Sequence, residues 1–172
     1  MLVADGWTVW EIGLDGVMRR ALGAYPEIEQ PTCYLPDCGE LEPVAREVGL
    51  SWVEEVEFDS NTGCFFALGN ELLRVCDGRV AVLWKPASPS NSPWAFTLSA
   101  DGRLFLATDR GSLVFQMDPY LDAAHALQVQ PTRIAGIVSD HGVGIPGHSG
   151  TDGPSLQAAL EVYAMAVGPD GL

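Results

Sequence analysis

The stretch Leu73-Arg74-Val75-Cys76-Asp77-Gly78-Arg79-Val80-Ala81-Val82-Leu83 has a near-copy in Phe96-Thr97-Leu98-Ser99-Ala100-Asp101-Gly102-Arg103-Leu104-Phe105-Leu106. Both place Asp-Gly-Arg between apolar runs. Asp-Gly accepts the positive φ values of a type I′ turn, whose twist matches that of paired antiparallel strands, so each copy predicts a β-hairpin. The segment between them, Lys85 to Pro93, holds Pro86, Pro89, Pro93, Ser88, Ser90 and Ser92 and reads as a loop. Upstream, Trp52, Val56 and Phe58 alternate with Val53, Glu55, Glu57 and Asp59, the two-residue period of a half-buried strand. Downstream, Ser112 to Met117 extends the meander after the turn Asp109-Arg110-Gly111.

Outside this centre the pattern reads as helical. Leu14, Val17, Met18, Ala21 and Leu22 fall on one helical face, with Asp15 as N-cap and Gly23 as stop. Tyr25 to Gly39, with Pro26, Pro31 and Pro36, is a connection with little regular structure. Pro43 opens a second short helix through Val44, Ala45 and Val48 that closes at Gly49. Asp118-Pro119 starts a third, running through Leu121, Ala124 and Leu127 to Pro131. Ile134 to Val138 reads as one more strand and residues 139–154 as a Gly-rich loop. Ser155 caps a last helix with Leu156, Leu160, Tyr163, Ala164 and Val167 on its face. The expectation is one α+β domain over residues 1–172, an antiparallel β-meander with flanking helices.

The chain has 172 residues, of which 47% are hydrophobic and 19% charged, a balance that buries a core and does not suit disorder. Nine Lys and Arg against 23 Asp and Glu give a net charge of −14, which disfavours direct binding to nucleic acid or an anionic membrane and favours a basic protein partner. The apolar runs are too short for a membrane span, and Asp5 and Glu11 stand where a secretory signal carries Lys or Arg, so a cytoplasmic location is expected. In that setting Cys33, Cys38, Cys64 and Cys76 read as free thiols. A zinc reading would pair Cys33 with Cys38 as one knuckle, but Cys64 and Cys76 are too widely spaced for the second.

Motifs for chemistry are sparse. Gly142-Val143-Gly144-Ile145-Pro146-Gly147-His148-Ser149 has the glycine spacing of a phosphate-binding loop, but His148 stands in place of the lysine and Gly150-Thr151-Asp152-Gly153-Pro154 in place of a helix. Asp140, His141, His148 and Asp152 are potential metal ligands on a loop too glycine-rich to fix their geometry, so no metal or other cofactor is expected. His125 reads as a partly exposed helix residue. No Gly-x-Ser-x-Gly nucleophile is present, and no enzyme activity is expected.

Glu55, Glu57 and Asp59 on one strand face suggest either a solvated edge or a docking surface for a basic partner. Glu54, beside the apolar face, marks a strand end or a bulge. Of five tryptophans, Trp84 and Trp94 flank the Pro/Ser loop and are candidates for an exposed anchor. The segment Trp94 to Leu106, with Asp109-Arg110-Gly111 and then Asp118 to Leu127, resembles the C-terminal half of the SUKH superfamily, in which an Asp-Gly-Arg strand pair precedes a short strand and a helix. The resemblance implies an α+β binding domain, often a bacterial immunity protein that neutralises a toxin, without catalytic residues. The expected function is therefore non-enzymatic binding that covers a basic surface on a partner such as a toxin, through Glu55, Glu57, Asp59, Trp84 and Trp94. The alternatives are a nucleic-acid-mimicking inhibitor or regulator and a small metal-dependent hydrolase using His141 and His148.

Overall fold

A computed structural model describes residues 1–24, 31–35, 38, 43–86, 92–108, 110–121, 127–140, 143–149 and 153–168. The chain divides into two compact units, Met1–Lys85 and Pro86–Leu172. Among the described residues it is a β protein. The expectation of an α+β fold with flanking helices is overturned: among the described residues helical geometry is confined to two 3-10 turns, Ala45–Glu47 and Ser155–Gln157.

Among its described residues the first unit holds three sheets. Strands β1 (Leu2–Ala4), β2 (Val9–Ile12) and β3 (Met18–Leu22) form an antiparallel meander. Strands β4 (Cys33–Tyr34) and β5 (Val48–Gly49) pair in parallel. Strands β6 (Val53–Asp59), β7 (Cys64–Gly69), β8 (Leu72–Cys76) and β9 (Arg79–Trp84) form a four-stranded antiparallel meander. Val9, Leu22, Val48, Val53, Ala67 and Val80 are almost wholly buried in one core with Phe65, Leu73 and Val75. The second unit is built on a matching meander, β10 (Pro93–Leu98), β11 (Leu104–Thr108), β12 (Leu113–Leu121) and β13 (Leu127–Ala135). There Phe96, Leu104, Leu106, Leu113 and Met117 are buried.

Both Asp-Gly hairpins are present, with different turns. Asp77 and Gly78 have φ 49° and 73°, the two positive values of a type I′ turn between β8 and β9. Between β10 and β11 only Gly102 is left-handed, at φ 83°, and its N–H donates to the Ser99 carbonyl at 2.9 Å. That loop is a type I turn closed by a left-handed glycine, the usual form for a longer hairpin connection. The two copies take different places, because Asp77-Gly78 joins the last two strands of one meander and Asp101-Gly102 the first two of the next.

Each expected helix has a physical reason for not forming. At residues 14–22, the Asp15 carboxylate accepts from the Val17 N–H at 3.0 Å and pairs with Arg19 at 2.7 Å, while Gly16 takes φ 73°. Asp15-Gly16 is thus another Asp-Gly turn, joining β2 to β3, and leaves Leu14, Val17 and Met18 exposed. After Pro43, the chain makes one 3-10 turn and then β5, because the Pro43 carbonyl accepts from Val80 and the Ala45 N–H donates to Gly78. These bonds to β9 and its turn replace those of a helix.

Asp118-Pro119 lies inside β12, with Pro119 opposite Val129 and Pro131 opposite Met117. The alternation Leu127-Gln128-Val129-Gln130 has the strand period, and proline is tolerated here because β13 is an edge strand and Pro119 lies beyond the reach of β11. Residues 122–126, including His125, lie outside the described residues. At the last expected helix the Ser155 hydroxyl donates to the Ile134 carbonyl at 2.6 Å and caps nothing. The chain then runs extended: Ala159 donates to the Ser149 carbonyl, Val162 donates to Gly111, and Leu156 and Tyr163 are exposed.

Candidate functional site

The β1–β2 turn, Asp5-Gly6-Trp7-Thr8, is held from within by one carboxylate. Asp5 accepts from the Thr8 N–H at 3.0 Å, the Thr8 hydroxyl at 2.7 Å and the Trp10 indole at 2.9 Å. Burial pushes this carboxyl up, but those bonds outweigh it, so its pKa lies below the usual aspartate value. The turn docks on the start of β6, where the Val53 N–H donates to the Gly6 carbonyl at 2.6 Å.

That single long-range bridge brings two tryptophans together. Trp7 and Trp52 meet edge to face, with ring centroids 5.3 Å apart and planes at 82°. Gly6, at φ 96°, lies under the Trp52 ring, so a Cβ there would come within 2.9 Å of it. On the other side the Trp52 carbonyl lies against Gly69. Backbone thus fixes the pair from two directions, yet Trp7 and Trp52 remain 44% and 45% exposed. The exposed carboxyl-bearing residues Asp5 and Glu54 are two positions away along the chain. Exposed indole rings suit a guanidinium or ammonium group, which gains a cation–π contact with them.

Glu55, Glu57 and Asp59 do share one face of β6, opposite Leu68, Phe66 and Cys64 of β7. A bulge between Val53 and Glu55 absorbs Glu54, which is exposed. Glu55 and Glu57 are half-buried, and Asp59 is buried. Its oxygens accept from the Asn61 N–H at 2.9 Å and the Thr62 hydroxyl at 2.6 Å, so it closes the turn into β7. Burial pushes this carboxyl up, but the bonds from Thr62 and Asn61, with the nearby Arg74 charge, bring its pKa below the ordinary value. Trp84 is half-buried at the end of β9 in the first unit, and Trp94 is 41% exposed on β10 in the second. The tryptophans that the fold pairs are Trp7 and Trp52. Asp5-Gly6 carries the same Asp-Gly turn signal as the other hairpins, but the bridge to Val53 has no local signal.

The four cysteines form two disulfides, Cys33–Cys38 and Cys64–Cys76, which corrects the reading as free thiols. Cys64 and Cys76 sit opposite each other on β7 and β8, one step beyond the pair Phe65 and Val75, with Cα atoms 4.6 Å apart. In the Gly-rich segment the Val143 N–H donates to the Ser139 hydroxyl and Val138 bridges Gly144, so the described part is a reverse turn without a following helix. His148 is exposed and 3.4 Å from Glu161. His141 and Asp152 lie outside the described residues, and among the described residues no group of three or more His, Cys, Asp or Glu is placed to hold a metal ion. No known family model matches the chain, and no curated protein is significantly similar to it.

Proposed function

We propose that this protein is a non-catalytic binding module that docks on a basic protein surface, with the Trp7–Trp52 pair as its anchor. The observation that carries this reading is an aromatic pair held by backbone on both sides and still open to solvent. Binding energy at protein interfaces concentrates in a few such rigid aromatic residues. The net charge of −14 supplies the complementary field, which accelerates encounter with a cationic partner. Neutralisation of a toxin by covering its basic surface is one form this activity takes, and charge complementarity is what supports it.

The test is affinity capture from the native host followed by binding kinetics on the purified pair. Trp52→Ala and Trp7→Ala are each expected to weaken binding by about tenfold or more, mainly through faster dissociation, as for interface hot spots. Glu54→Lys with Glu55→Lys is expected to slow association and flatten its dependence on salt. Unchanged binding in tryptophan variants that melt like the parent overturns the assignment of the anchor.

A further inference from the structure

The first unit carries a second feature on which the docking reading does not depend. Between the sheet β1–β3 and the sheet β6–β9 lies a cleft of about 770 Å³. This is within the range of roughly 300–1,000 Å³ typical of small-molecule sites. Its floor is one cross-strand row, Phe58 opposite Phe65 and Phe65 opposite Val75, with Leu2 and Ala21 facing in from the other sheet. Phe58, at the outer end of that row, is 58% exposed, an unusual position for a phenylalanine on the core face of a strand.

The rim is cationic. Arg20, Arg46 and Arg79 line the cleft, a third of the nine Lys and Arg in a chain of net charge −14. Their placement is built into the backbone. Val44 bridges Arg79, the Ala45 N–H donates to the Gly78 carbonyl at 2.9 Å, and the type I′ turn at Asp77-Gly78 sets where Arg79 begins β9. Arg46 therefore follows a segment stitched directly to the Arg79 turn, and Arg20 approaches from β3. Glu11 and Asp77 also line the cleft, so three guanidinium groups face two carboxylates. The Met1 ammonium at the same cleft adds to the cationic excess.

We infer that this cleft is a binding site for a small organic monoanion, a carboxylate on an aromatic or branched apolar body. The guanidinium fork matches a carboxylate in geometry and charge, while the Phe58–Phe65–Val75 row takes the apolar body. A polyanion such as a nucleic acid is opposed by Glu11, by Asp77 and by the charge of the whole chain.

The experiment titrates the full chain with 2-naphthoate and, separately, with the neutral isostere 2-naphthamide, following backbone and arginine side-chain signals by NMR. Naphthoate is expected to shift signals of β3, β8 and the 77–79 turn saturably, at least about tenfold more tightly than the amide. Arg46→Gln combined with Arg79→Gln is expected to abolish the preference for the acid, and Arg46→Gln alone, at an exposed position, to reduce it. Phe58→Ala is expected to weaken both probes alike. Equal affinity for acid and amide, an unchanged preference in the folded arginine variants, or no saturable shift from naphthoate up to about 10 mM overturns the inference.

Discussion

Asp59 shows how one residue type serves two purposes that a sequence does not distinguish. Its alternation with Glu55 and Glu57 is real, and all three share a face. The residues that follow decide its role, because Asn61 and Thr62 place donors where the Asp59 oxygens can accept them. A carboxyl whose folded pKa is depressed contributes stability that is present above its unfolded pKa of about 3.9 and is lost as pH falls through the folded value. Asp59→Asn is accordingly expected to be less stable than the parent at pH 6 by about 1 kcal/mol. The gap narrows as both proteins are melted at successively lower pH below the usual aspartate value. A gap that stays constant from pH 6 down to about pH 2 would show that the Asp59 charge contributes nothing. Asp5 and Asp101 are also depressed, so the parent keeps an acid-sensitive limb of its own and the difference between the two proteins is the informative quantity.

At the scale of elements, the hairpins were legible and the connections were not. Asp77-Gly78 and Asp101-Gly102 carry their turn chemistry locally, and the strands on either side follow from alternation. Asp15-Gly16 carries the same chemistry, yet five apolar residues at helical spacing outweighed it; short apolar runs do not separate a helix from a strand by period alone. The C-terminal segment illustrates the converse. Leu156, Leu160, Tyr163 and Val167 have helical spacing, but extended backbone wins because Gly111 and Ser149 offer it partners far away in sequence. Gly111 has φ 80°, and a Cβ there would lie 2.1 Å from the Val162 carbonyl oxygen. Gly111→Ala should therefore push residues 158–162 off the β11–β12 turn. The expected readout is loss of hydrogen-exchange protection at Val162 with β10–β12 amides still protected; retained protection at Val162 would refute this contact.

Across the whole molecule the covalent links are unevenly placed. Both disulfides are in the first unit, and the second has no cysteine. By loop-closure entropy the five-residue and twelve-residue separations contribute about 2 and 3 kcal/mol. Reduction is expected to lower hydrogen-exchange protection in β6–β9 and to leave β10–β13 unchanged, and equal loss in both would contradict the pairing. Disulfides persist in oxidising compartments, whereas the reading of the cysteines as free thiols followed from the expected cytoplasmic location. Alkylating the protein as isolated from its host, before any reductant, separates the two: four free thiols by mass favour the cytoplasm, and none favours an oxidising compartment.

Pro131, exposed on the outer strand of the second meander between the exposed residues Gln130 and Thr132, also governs how copies of the chain behave toward one another. An uncovered strand is a template on which a neighbour's strand can grow into a fibre, and a position with no N–H interrupts the hydrogen-bond ladder such growth requires. Pro131→Val restores the missing donor and adds a β-branched side chain. Light scattering of concentrated solutions should then rise with time for the variant while the parent stays clear, and equal scattering would mean that this edge is guarded by something other than its proline.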